Sequence, residues 1–120
     1  MTTKFVEISP VLPSLNIQRD ISWYNKYVGF DKLHSDDMYA VLRRDNLCIH
    51  LQWHAGSKED PLLGGSVIKI FVQNLMPIFN ELIERGTIKE DRLRLHTQWN
   101  TNEIGFHDLN NNAIFFVEDI

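Results

Sequence analysis

The sequence predicts an α+β fold made of two tandem β-α-β-β-β modules, and three observations carry that expectation. Apolar spacing alternates between the strand and helix periods in the same order in each half. Each of two helical stretches has an asparagine before it and a glycine after it, Asn16/Gly29 and Asn74/Gly86. Each half also closes on an asparagine-bearing turn that leads into a β-prone run, Leu47–Trp53 in one and Ala113–Val117 in the other.

In chain order, Lys4 to Leu12 reads as a strand broken by Pro10 and again at Pro13, which places it at an edge or where the chain leaves its sheet. Asn16 is suited to an N-cap, and Ile17, Ile21, Tyr24 and Val28 then recur at helical spacing until Gly29. Phe30–Ser35 reads as a short strand and Asp36-Asp37 as a turn. Met38–Arg43 and Leu47–Trp53 form a hairpin across Arg44-Asp45-Asn46. The polar stretch 54–65, with Gly64-Gly65, is the expected linker, so the modules run over about 1–56 and 65–120 of a single domain.

The second half repeats this order. Ser66–Val72 is an expected strand and Asn74 a second N-cap. Leu75, Ile78, Phe79, Leu82 and Ile83 form an amphipathic helix, with Pro77 tolerated in its first turn. Thr87–Leu95 reads as a weaker, charged strand. The final hairpin pairs Ile104–Asp108 with Ala113–Val117. Its turn, Asp108-Leu109-Asn110-Asn111-Asn112, can do without glycine because asparagine tolerates the left-handed backbone. The halves also match residue by residue: Asn16-Ile17 lies over Asn74-Leu75, Ile21 over Phe79 and Tyr24 over Leu82. At a slightly larger offset, Asp45–Leu51 lies over Asn110–Phe116. A duplicated module accounts for both.

Composition narrows the function classes. A chain of 120 residues is large enough to bury roughly two-thirds of its unfolded surface. The net charge of −4, with basic residues scattered, argues against nucleic acid as a partner. One cysteine, Cys48, excludes an internal disulfide and fits a reducing compartment. There is no membrane-length apolar run and no signal-peptide h-region, so the expectation is a cytoplasmic protein without a membrane partner. Among nucleophiles, Ser9, Ser14 and Ser66 lack a nucleophile-elbow setting. Cys48 and His50, two apart on one strand, sit about 7 Å apart, too far for direct activation. His50 and His54 would stand about 13 Å apart along a strand and cannot share one ion without a bend.

The run from Pro10 to Phe30, PVLPSLNIQRDISWYNKYVGF, resembles the opening of glyoxalase/bleomycin-resistance proteins of the vicinal oxygen chelate superfamily. There a strand leads through an "R-D" turn into a helix carrying "F-Y" and then "L-G-F". Trp99 with Phe106-His107-Asp108-Leu109-Asn110-Asn111-Asn112-Ala113-Ile114 is similar to that family's "W-G…F…D-P-x-G-N" hairpin. Leu109 and Asn111 stand where that pattern has proline and glycine. The resemblance spans nearly the whole chain. It implies a curved mixed sheet in which the two modules surround a cleft.

It also implies a site. The superfamily's metal-ligand positions, carried over, fall on Ser9, His50, Val67 and Phe115. Only one of these is a competent ligand where about three are needed, so no catalytic metal and no cofactor are expected. The members without metal bind and sequester flat, partly aromatic and often cationic compounds in a groove between two subunits. Carried-over lining positions are Tyr39, His50, Gln52, Lys69, Phe71, Trp99 and Phe115. Pro10 stands at the hinge of an N-terminal strand that such homodimers exchange, although in other members the fold closes within one chain. By strand alternation Cys48, His50 and Gln52 share one face, and Val67, Lys69 and Phe71 another, and these faces would meet across the cleft. Trp99 and Tyr39 would stack on a ring or a cation. Lys69 would repel a cationic drug and favour an acid or phenolate, unless its side chain snorkels to the rim. Each residue also has a plain alternative: Pro10 as an ordinary strand end, Trp99 as hairpin packing, Trp23 as helix packing. Trp53 is open between packing and ligand contact.

The expected function is therefore metal-independent binding of a small, partly aromatic molecule, of the bleomycin-resistance type. A metal-dependent glyoxalase-like lyase or extradiol-type dioxygenase is the first alternative, and would need ligands beyond His50. A non-catalytic scaffold, its cleft filled by Phe71, Phe115 and Trp99, is the second.

Overall fold

A computed structural model describes residues 1–62 and 65–120; Gly64 of the expected linker lies outside them. The order is β1 (Val11–Ser14), α1 (Ile17–Val28), β2 (Asp31–Ser35), β3 (Tyr39–Arg44), β4 (Leu47–Trp53), β5 (Val67–Phe71), α2 (Leu75–Glu84), β6 (Thr101–His107) and β7 (Ala113–Asp119). The mixed sheet comes as two ladders, β1-β4-β3-β2 and β5-β7-β6. In each, the strand before the helix runs parallel to the last strand of its half, and the other pairings are antiparallel.

The duplication is written into the register. Val11 faces His50 as Lys69 faces Phe115, and Val41 faces His50 as Gly105 faces Phe115. Val11 with Lys69 and His50 with Phe115 keep the two offsets that align the halves in sequence, while Gly105 stands one residue short of the second. Helix α1 is capped as expected: the Asn16 side chain accepts from the Arg19 N–H at 3.0 Å, and Gly29 closes the helix at φ 74°. Helix α2 departs from the expectation. Asn74 is left-handed and its side chain makes no cap bond; the Glu118 carboxylate on β7 instead accepts from the N–H groups of Asn74 and Leu75. A carboxylate at a helix N-terminus satisfies free donors and complements the dipole, so it replaces the local cap.

Two expected strands are corrected. Thr87–Leu95 forms a short 3-10 turn at Glu90–Arg92 and a single antiparallel bridge, Arg94 to Glu103. Lys89, Glu90, Asp91 and Arg92 are exposed there, and a run of charge offers no apolar face to seat in a ladder. The N-terminal strand begins at Val11 and not at Lys4. Phe5, Val6 and Ile8 are exposed and unpaired, because a β-prone segment becomes a strand only where another strand accepts it.

Both helices pack on one side of their sheets around a shared core. Tyr24, Val28, Leu42 and Leu51 from the first half meet Leu75, Leu82, Ile104 and Ile114 from the second, all essentially inaccessible to water. Each such aliphatic side chain contributes about 1.5–3 kcal/mol of burial.

The halves are also cross-docked by their turns. The β6–β7 turn sits on α1 and β1. Asp108 Oδ1 accepts from the N–H groups of Asn110 and Asn112, while Asp108 Oδ2 accepts from the Tyr24 hydroxyl at 2.6 Å and from Asn112 Nδ2. Asn110 Nδ2 and the Ser14 hydroxyl both donate to Asp20, and Asn112 Nδ2 reaches the Pro13 carbonyl. Asn111 takes the left-handed backbone of the glycine-free turn. Burial, reinforced by the Asp108 charge, pushes the Tyr24 phenol far above its ordinary range and keeps it a donor. At the other seam the β3–β4 turn reaches α2: Arg44 donates twice to Glu81, at 2.6 and 2.7 Å, and Arg85 adds a third bond. That seam is half-exposed and keeps a cavity of about 350 Å³ beside it, lined by Leu47, Ile70, Asn74 and Ile78 among others.

Candidate functional site

With both helices on one side, the opposite face of each sheet is uncovered in a single chain. On the first sheet, Ala40, Leu42, Ile49 and Leu51 turn into the core, so Tyr39, Val41, His50 and Gln52 turn the other way. Register places Tyr39 opposite Gln52 and Val41 opposite His50. The Tyr39 hydroxyl and His50 Nδ1 are hydrogen-bonded at 2.7 Å with their rings edge to face. His54, beyond the strand, is bonded to Asp60 at 2.7 Å, so the two histidines have separate partners. Among the described residues, no three His, Cys, Asp or Glu side chains converge as a metal site would require.

On the second sheet, Ile68 and Ile70 pack toward the core, leaving Val67, Lys69 and Phe71 on the open face. Lys69, Phe115 and Gly105 lie in one row across three strands. Phe115 packs directly against Gly105: a Cβ there would stand 2.4 Å from the ring. Glycine is what allows the aromatic to lie on the sheet. The next row is Phe71, Val117 and Glu103, with Arg94 bridged beyond it.

Trp99 stands on the loop before β6, between two non-glycine residues in the left-handed region, His96 and Asn100. Its ring is 53% exposed, so its packing is partial, and its indole N–H donates to Glu103 Oε2 at 3.2 Å. The Arg94 guanidinium lies 5.6 Å from its centroid.

The seven expected site residues thus fall into three groups. Tyr39, His50 and Gln52 are neighbours on the first sheet. Lys69, Phe71 and Phe115 are neighbours on the second, where Lys69 and Phe71 also border a cleft of about 320 Å³ with Ile8, Pro10 and Cys48. Trp99 stands apart over Glu103. Of the other tryptophans, Trp23 packs among Tyr24, Tyr27 and Phe106, and Trp53 packs on the core and donates to the Leu15 carbonyl. Glu103, Thr101 and Arg94 escape a reading of the strand that begins at Ile104. Begun at Thr101, the same alternation sets Glu103 on the Gly105 face.

No family model matches the chain. A bleomycin resistance protein of Geobacillus stearothermophilus is 24% identical over 125 residues, covering 92% of this chain and 95% of the relative. A bleomycin-binding protein of Streptomyces verticillus, solved with copper(II)-bleomycin, superposes with a TM-score of 0.75 at 17% identity, covering 96% and 97% of the two chains. A glyoxalase/bleomycin resistance protein/dioxygenase from Nocardioides superposes with a TM-score of 0.77 at 11% identity, covering all of this chain and 87% of the other. The likeness to these two structures is one of fold. Together with the end-to-end sequence match, it makes this chain similar in fold and in sequence to glyoxalase/bleomycin-resistance proteins.

Proposed function

We propose that the protein binds and sequesters a small, partly aromatic molecule of the bleomycin type, without a catalytic metal. The observation that carries this reading is the pair of uncovered sheet faces, each with aromatic rings set beside a few directional polar groups, the composition a ligand groove needs. Tyr39, His50 and Gln52 would form one wall, and Lys69, Phe71 and Phe115 the other, with Trp99 stacking at the rim. The curated relative is a bleomycin resistance protein over nearly its full length, which supports the same reading.

A single chain leaves both walls in water, and of the exposed residues Phe5, Val6 and Ile8 the last borders the cleft with Lys69 and Phe71. We take the complete groove to need a second copy, with the arm before Pro10 passing to that copy. Cys48, a free thiol, suits work in the reducing interior of a cell. No helix among the described residues is long and apolar enough to cross a membrane.

The test is a tryptophan-fluorescence titration with metal-free and copper-loaded bleomycin, with and without chelator. Trp99→Phe and an unrelated protein serve as controls for quenching by copper. Saturable binding of the metal-free drug, indifferent to chelator and silent in Trp99→Phe, is expected. A flat response removes bleomycin as the ligand. Sedimentation of the same samples should give a dimer; a monomer that still binds would sink the shared groove.

A further inference from the structure

Glu103 is a buried carboxylate that faces the ligand side of its sheet, and its two oxygens are unequally served. The side chain is only 4% exposed. Oε2 accepts from the Thr101 hydroxyl at 3.0 Å and from the Trp99 indole at 3.2 Å. Among the described residues Oε1 has only Arg94 Nη1, at 3.5 Å, beyond the usual range of an N–H···O bond. A carboxylate withdrawn from water calls for close donors on both oxygens. Arg94 is poorly placed to be the permanent partner: its side chain is 57% exposed and rests over the Trp99 ring.

We infer that Glu103 Oε1 is a cation subsite at the Trp99 end of the groove, and that Arg94 is its exchangeable occupant. A ligand carrying an ammonium or guanidinium beside a planar ring would stack on Trp99, displace the Arg94 guanidinium into water and pair with Oε1. Lys69 does not oppose this. It stands on β5 whereas Glu103 stands on β6, two strand spacings or about 10 Å away across the sheet. The open face therefore has a cationic edge and an anionic edge, which would orient a ligand as well as hold it.

The inference rests on the reading that Trp99 borders the ligand groove, and its test does not depend on bleomycin. Phenethylammonium, 2-phenylethanol and phenylacetate share a ring and a tail and differ in charge. Each is titrated against the intact protein, Glu103→Gln and Arg94→Met, read by tryptophan emission with Trp99→Phe as the control. The ammonium should bind most tightly. Glu103→Gln should weaken the ammonium about tenfold and leave the alcohol nearly unchanged. Arg94→Met should tighten the ammonium, because its competitor is gone. Equal binding of all three probes, preference for phenylacetate, or no saturable binding of the ammonium would each overturn the subsite. So would an equal loss of all probes in a folded Glu103→Gln, which would mean that Glu103 only holds the tryptophan. Arg94→Met alters an exposed side chain and keeps the test decisive if Glu103→Gln fails to fold. Charge selection without bleomycin binding would refute the drug and keep the subsite; bleomycin binding without charge selection would do the reverse.

Discussion

The two seams between the halves do one job by different physics. The turn of the second half is held on α1 by Asp108, Asn110 and Asn112, all buried, in a network with Ser14, Asp20 and Tyr24. The turn of the first half is held on α2 by Arg44 and Glu81, side chains 26% and 31% exposed. The two halves share one architecture, yet one seam is filled while a cavity stands beside the other. A buried bond is expensive to break because its orphaned partner has no water to turn to, whereas a half-exposed ion pair is replaced by solvent.

The comparison breaks first at Asp108. Asp108→Ala strands two backbone N–H groups and the Tyr24 hydroxyl, takes one of the two acceptors of the Asn112 amide, and should cost about 3 kcal/mol or more in denaturant unfolding. A loss no greater than that at the exposed seam would show that burial is not what separates them. Tyr24→Phe sharpens the point by removing one donor and leaving Asp108 three others. About 1–2 kcal/mol is expected, read as a fall in midpoint at unchanged slope. Glu81→Gln should be the mildest, about 1 kcal/mol or less.

That last variant also carries a pH signature. Hydrogen bonds from Arg44, joined by Arg85, hold the Glu81 carboxyl below its ordinary value of 4.5. A depressed folded value means that the contribution is complete above the ordinary value and is lost as pH falls through the lowered one. The stability gap between wild type and Glu81→Gln should therefore be constant at neutral pH and close in acid. A gap that persists at acid pH would mean that the pair acts through packing and not through charge.

The sequence shows the seams unequally. The turn itself was legible, because three successive asparagines can supply a left-handed residue, and Asn111 does. Its destination was not: Asp108 and Tyr24 are 84 residues apart and carry no local pattern that joins them. The same limit hid the cap of α2. Asn74 has the right identity in the right place, yet Glu118 takes the role from another strand. Thr87–Leu95 misleads for a different reason, since a strand inferred by analogy with the first half lacks the apolar face that would seat it. At the site, alternation placed His50, Gln52, Lys69 and Phe71 on open faces. It could not reveal that Glu103 lies beneath Trp99, because that contact depends on a loop with two left-handed residues.

Glu118 has a consequence in time. The donors it satisfies at the start of α2 lie forty-four and forty-three residues upstream. During synthesis, α2 leaves the ribosome well before its cap exists, and α1, though capped locally by Asn16, waits for Asp108 to dock on Tyr24. Helix α1 is docked by a turn of the other half and α2 is capped by the last strand of its own, so a nascent chain should remain loosely held until β7 emerges and then close late as one unit.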